Sequence, residues 1–233
     1  MTRSAPDAFT ETHPHLSLPY LLRRPIVETL HSPLLVLLHG YGSNEEDLFS
    51  LAAIIPPQFL VLSVRGPYVL TRGQYAWFQL DFSSGTMVHN REQAEKSRLR
   101  LKDLIDEVTQ QFSVDMKNIF LVGFSQGAIM SASVAFTFPS LVSKIGMLSG
   151  RILEEIKPRV NGGETVPQLK VFLAHGTEDT VLPIAHAREG KAYLESLNVD
   201  LEYHEYPMPH TISSAEQEAL VHWLSTTLSL CDS

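Results

Sequence analysis

Five short, unbroken apolar runs constrain this chain more than any other feature. They are Pro33–His39 (PLLVLLH), Phe59–Val64 (FLVLSV), Asn118–Gly123 (NIFLVG), Lys144–Leu148 (KIGML) and Lys170–Ala174 (KVFLA). A strand with one wet face alternates apolar and polar residues, whereas a continuous run must be covered on both faces. Amphipathic helical stretches lie between most of these runs. That alternation predicts an α/β chain, with a mostly parallel central sheet and helices on both faces. A sixth run, Asp200–Tyr206 (DLEYHEY), alternates and is expected near an edge. Leu18–Val27 is a further edge candidate, because Pro19 and Pro25 cannot donate to a ladder.

Helical spacing in Arg91–Phe112 puts Leu101, Leu104, Ile105, Val108 and Phe112 on one face. Ala128–Phe138 is small and apolar, as a buried helix is. Ile184–Leu197 and Ser214–Leu228 are amphipathic, and Ser213 or Ser214 with Glu216 or Gln217 three residues on predicts a capping box. A length of 233 residues suits one domain, taken as 16–230 behind a polar stretch, 1–15, expected to fray. The first 20 residues show no signal-peptide h-region, and no apolar string approaches the roughly 18 residues of a membrane span. Lys and Arg number 18 against 26 Asp and Glu, a net charge of -8. That balance argues against a nucleic-acid or polybasic membrane partner. The single cysteine, Cys231, permits no intrachain disulfide, which fits a reducing cytoplasm.

Gly123-Phe124-Ser125-Gln126-Gly127 lies between the strand NIFLV and the helix AIMSASVAF. G-x-S-x-G carries meaning in this strand-turn-helix context, where a sharp turn lifts the serine hydroxyl above the sheet. A helix N-terminus behind it adds free N–H groups and partial positive charge. Ser125 is the expected nucleophile, and a hydroxyl needs a base. Of ten histidines, His13 and His15 lie in the tail, His204 in a strand, His222 in mid-helix and His186 at a helix start. His210, in Pro207–Thr211 after the last strand, is placed to reach the serine. The acid is expected after KVFLA, where Glu178 and Asp179 compete. Asp179 is favoured, its short side chain holding one orientation and fixing the imidazole tautomer.

An oxyanion hole takes the N–H after the nucleophile, from Gln126, and one from the loop after the first buried strand. There Tyr41 follows His39-Gly40. G-x-G-x-x-G fails in this loop, since Gly40 and Gly42 are followed by Glu45, and no G-x-x-x-x-G-K-[ST] occurs. Neither H-E-x-x-H nor C-x-x-C occurs, so no metal is expected. His39 and His175 are read as hydrogen-bonding neighbours of the site.

These residues together resemble the phospholipase/carboxylesterase family of α/β hydrolases, which contains acyl-protein thioesterases and small bacterial carboxylesterases. The resemblance rests on LLHGYGSNEEDL (37–48), Trp77-Phe78, GFSQGA (123–128), LSGRI (148–152), HGTEDTVLP (175–183) and Pro209-His210. It implies a triad of Ser125, Asp179 and His210, oxyanion donors at Tyr41 and Gln126, no cofactor, and homodimers as a common assembly. Tyr41 and Ser43–Asp47 depart from the L-G-D-x-G of the thioesterases, and Ala128 stands where many relatives carry glycine.

About 20 residues separate Leu148 from Lys170, too few and too rich in Pro and Gly for a cap domain. Residues 66–90 are read as irregular, either walling an acyl pocket or tucking their aromatics into the core. Trp77, Phe78, Ile152, Leu153, Val181 and Leu182 are the pocket candidates. The expected function is carboxylic ester hydrolysis of small or acyl-chain substrates through an acyl-enzyme. Thioester or lysophospholipid hydrolysis on the same triad, an amidase, and a silent binding domain remain open beside it.

Overall fold

The computed structural model describes residues 16–27, 29–81, 83, 88–157 and 168–228. The stretch 1–15, expected to fray, lies outside them, as do 158–167 of the segment expected to be a loop rather than a cap.

A seven-stranded sheet forms the centre. Its strands are β1 (Tyr20–Arg23), β2 (Ser32–Leu38), β3 (Leu60–Val64), β8 (Val114–Phe124), β9 (Lys144–Leu148), β10 (Lys170–Gly176) and β11 (Asp200–Tyr206). They lie in the order β1-β3-β2-β8-β9-β10-β11, and only β1, at one edge, runs antiparallel to its neighbour. All five continuous runs became interior strands, and the alternating DLEYHEY became the other edge. Successive residues of a strand face opposite sides, so one run feeds two cores. Leu34, Val36 and Leu38 pack with α2 (Arg91–Gln111), α3 (Gln126–Thr137) and α4 (Ala185–Ser196). Leu35 and Leu37 pack with α1 (Glu45–Phe49), the 3₁₀ turn after it and α5 (Ser214–Thr226). Every residue from Gln126 to Phe136 in α3 is buried, as an apolar-all-round helix must be.

Residues 66–90 hold more regular structure than their sequence suggested. Their described residues form two small antiparallel pairs, β4 (Tyr68–Thr71) with β5 (Gln74–Ala76), and β6 (Leu80–Asp81) with β7 (Val88–His89). The capping box at α5 is half built: Ser213 Oγ accepts from the Glu216 N–H at 3.2 Å, but neither carboxyl oxygen of Glu216 makes a well-formed hydrogen bond in return.

The chain leaves β2 toward β3, then crosses back to β8 on the other side. The carboxyl ends of β2 and β8 therefore flank a switch point, where open α/β sheets carry their ligand crevice. His39–Asn44 follows one of these strands and Ser125 follows the other.

Candidate active site

Ser125 sits at φ 54 and ψ -114 between β8 and α3. This is a strained conformation for a residue with a Cβ, costing on the order of 1–3 kcal/mol. Glycine makes the turn around it feasible. A Cβ on Gly127 would lie 1.9 Å from the Leu38 carbonyl oxygen, and one on Gly123 would lie 2.2 Å from the Gly127 carbonyl carbon. Close packing of α3 on β2 thus brings the helix N-terminus beside the loop that follows β2. Ser125 N–H donates to Leu148 O at the end of β9 at 2.8 Å, fixing the turn from the other side.

His210 and Asp179 come from the loops after β11 and β10. A Cβ on Gly176 would lie 2.2 Å from the Met208 carbonyl oxygen, so the two loops touch, and Glu178 N–H donates to Met208 O at 3.1 Å. Within this contact His210 Nδ1 lies 2.5 Å from Asp179 Oδ2, and His210 Nε2 lies 2.9 Å from Ser125 Oγ. The other carboxylate oxygen, Oδ1, accepts from the N–H groups of Val181 (2.9 Å) and Leu182 (2.8 Å). Asp179 is buried while its rival Glu178 is exposed. Two rival histidines are engaged elsewhere: His186 is 3.8 Å from Glu189 on α4, and His204 pairs with Glu202 at 2.8 Å.

His39 and His175 are both fully buried, and burial pushes both imidazoles below the ordinary histidine range. His39 Nε2 accepts from the Gly66 N–H at 2.9 Å, which leaves Nδ1–H to donate to Gly40 O at 2.7 Å. A trans peptide sets its N–H opposite its C=O. Holding the Gly40 carbonyl toward His39 therefore turns the Tyr41 N–H the other way. Gly42 N–H donates to Tyr75 O at 2.9 Å, and Tyr75 N–H returns to Ser43 O at 2.8 Å, pinning the rest of the loop to β5. Among the described residues, neither the Tyr41 nor the Gln126 amide donates to a loop or turn carbonyl. His175 Nε2 is 2.7 Å from Leu182 O and 3.3 Å from Asp179 Oδ2, steadying the acid loop. Among the described residues, no three His, Cys, Asp or Glu side chains gather as a metal site.

A cleft of about 470 Å³ opens over Ser125, lined by Tyr41, Phe78, Leu80, Gln126, Ile129, Arg151, Val181, Leu182 and His210. Of the six expected pocket residues, Phe78, Val181 and Leu182 line it. The other three are corrected. Trp77 is fully buried in the core, its indole N–H donating to His39 O at 2.9 Å. Ile152 is buried facing Gly190 of α4, and Leu153 lines a separate hollow with Ala94 and Arg98 of α2. Leu80, Ile129 and Arg151 were missed. Ile129 is four residues past Ser125 and so shares its helix face, and Arg151 follows the carboxyl end of β9, next to β8. The Gln126 side chain binds the cleft wall, accepting from Trp77 N–H and donating to Phe78 O, both at 2.7 Å.

An imidazole bonded to a hydroxyl on one side and to a buried carboxylate on the other is able to take the hydroxyl proton. Two unengaged amides beside that hydroxyl are able to receive an oxyanion.

Comparison with known proteins places the chain among hydrolases. The model of the family described as Phospholipase/Carboxylesterase matches residues 27–228. A Bacillus subtilis protein named putative hydrolase MhqD is 30% identical over 191 residues, covering 81% of this chain and 90% of its own. Acyl-protein thioesterase 1 of Mycosarcoma maydis is 27% identical over 219 residues, covering 83% of this chain and 90% of its own. Among solved structures, the Bacillus cereus carboxylesterase superposes with a TM-score of 0.75 at 27% identity, over 91% of this chain and 95% of that one.

Proposed function

The chain belongs to the phospholipase/carboxylesterase family of α/β hydrolases, and on that premise we propose that it is a serine carboxylesterase. The observation that carries the reading is the unbroken hydrogen-bond chain from Ser125 Oγ through His210 to buried Asp179. In the proposed reaction Ser125 attacks the ester carbonyl while His210 Nε2 takes its proton. The N–H groups of Tyr41 and Gln126 receive the tetrahedral oxyanion. His210 then protonates the departing alcohol, leaving an acyl-serine. Water, deprotonated by the same imidazole, releases the acid. Asp179 keeps the proton on Nδ1 and stabilises the imidazolium. A cleft walled by Phe78, Leu80, Ile129 and Leu182 suits an apolar acyl group. Thioesters have the same carbonyl geometry and are the second substrate class to test. Among the described residues, no helix is long and apolar enough to cross a membrane.

The test is intact-mass labelling with a fluorophosphonate, beside turnover of 4-nitrophenyl esters. Wild type should gain one adduct and turn over, and Ser125→Ala and His210→Ala should do neither while keeping the circular dichroism of the fold. An unlabelled, inactive wild type, or a fully active Ser125→Ala, would refute the reading.

A further inference from the structure

The proposed esterase leaves one cleft residue without a role. Arg151 lines the cleft together with Ser125, Gln126 and His210. It is anchored close to the nucleophile, because the preceding residue, Gly150, abuts it: a Cβ there would lie 3.3 Å from Ser125 O. Arg151 Nε is buried and has no hydrogen-bond partner, and among the described residues no carboxylate pairs with its guanidinium. Other arginines on this fold are engaged: Arg65 with Glu45, Arg98 with Glu95, Arg188 with Glu205. The acids nearest Arg151 in sequence are also taken, Glu154 by Lys157 and Glu155 by His89.

A buried polar group left unpaired costs more than it contributes, and charged groups cost most. A cationic fork without a carboxylate partner, in a cleft whose other described lining residues include no acid, is therefore a place for an anion to complete. We infer that Arg151 is a specificity residue that binds a carboxylate on the substrate, so that the preferred ester is a monoester of a dicarboxylic acid or otherwise bears a free carboxylate. The inference rests on the esterase reading and names the substrate class of that same site. A carboxylate is favoured over a phosphate by charge and shape. Among the described residues the cleft holds one permanent cation, matching one negative charge, whereas a phosphate monoester carries about -1.5 to -2. The guanidinium fork also matches a carboxylate bidentately. Polarity supports the assignment from the other side. The adjoining hollow, which shares Tyr41 and Leu80 with this cleft, contains Asp81 and would turn an anion back toward Arg151.

The experiment compares kcat/KM for mono-4-nitrophenyl adipate and 4-nitrophenyl hexanoate, equal in acyl length, with Ser125→Ala as the blank for spontaneous hydrolysis. Shorter dicarboxylic monoesters and a terminal-phosphonate analogue complete the set. A charge-assisted pair predicts a preference of about 10–100-fold for the carboxylate ester, shrinking as salt is added. Arg151→Gln should bring the carboxylate-to-neutral ratio down by about that factor, and Arg151→Lys should restore part of it. Equal rates on the charged and neutral esters at every length would overturn the inference. An Arg151→Gln loss shared equally by both esters would overturn it too, as would a preference for phosphonate over carboxylate. In each of those outcomes the neutral ester still turns over and the fluorophosphonate adduct still forms, so the esterase reading stands. Loss of both would bring down the esterase reading and this inference with it.

Discussion

Glu216 offers a pH-dependent test of how this fold handles a buried carboxyl. It is the third residue of α5, fully buried, and neither carboxyl oxygen has a well-formed partner. Burial pushes its pKa from 4.5 up to about 8, with the Ser213 amide opposing the rise. Below the ordinary carboxylate range both folded and unfolded chains hold the proton, and Glu216 has no pH effect. Above it the unfolded chain loses a proton that the folded chain keeps. Stability therefore falls as pH rises, and levels off only above the folded pKa. Integrated from pH 5.5 to 8.5 with pKa values of 4.5 and about 8, the loss is about 3 kcal/mol. A chain of 233 residues unfolds with an entropy of about 0.5 kcal/mol/K, so this is about 6 °C in Tm. Glu216→Gln cannot ionise, and its own buried amide adds only a constant offset. Thermal unfolding of both proteins across this range gives the answer, since every other titration cancels in their difference. Wild type should lose about 6 °C relative to the variant between the two pH values. Parallel curves would refute the argument, because they would mean that Glu216 is ionised and solvated in the folded state.

Two further predictions address the site. Asp179→Asn should lower kcat by about 10³–10⁴-fold: the backbone N–H groups of Val181 and Leu182 hold the amide oxygen, leaving the NH₂ facing His210 Nδ1 and forcing the wrong tautomer. Ester turnover within tenfold of wild type would contradict this. Gly127→Ala, whose Cβ would meet Leu38 O at 1.9 Å, must displace α3 and should cost about 10²-fold or more in kcat/KM. Gly190→Ala is the control, since its Cβ would meet nothing nearer than Leu173 Cδ2 at 3.8 Å. It should gain about 0.5–1 kcal/mol by denaturant titration.

The sheet was legible because burial on both faces writes itself into sequence as continuous apolar runs, and burial on one face as alternation. Ser125, His210 and Asp179 were legible for a related reason: each follows a recognisable strand, and the carboxyl ends of parallel strands converge. The cleft walls were not. Trp77 and Phe78 are adjacent and equally aromatic, yet one enters the core and the other faces the cleft, and outside a periodic element nothing in the residue type says which. Ile129 was hidden for the opposite reason. In a helix buried all round, an isoleucine facing a cleft reads like its neighbours facing the core. Arg151 was visible as part of LSGRI, but its lack of a partner is a property of three-dimensional neighbours alone.

The bonds from the Gln126 side chain to Trp77 N and Phe78 O bear on how fast the cleft can admit a molecule. Enzymes roofed by a hinged segment wait for collective motions of microseconds to milliseconds. Here the wall is fastened to the residue after Ser125, so moving it would disturb the turn that carries Ser125. Among the described residues that line the cleft, the most exposed hydrophobic side chains are Tyr41 and Val181. Exposed side chains change rotamer in picoseconds to nanoseconds. Among the described residues, admission at this entrance thus asks for rotamer flips of two side chains rather than for movement of the Phe78 wall.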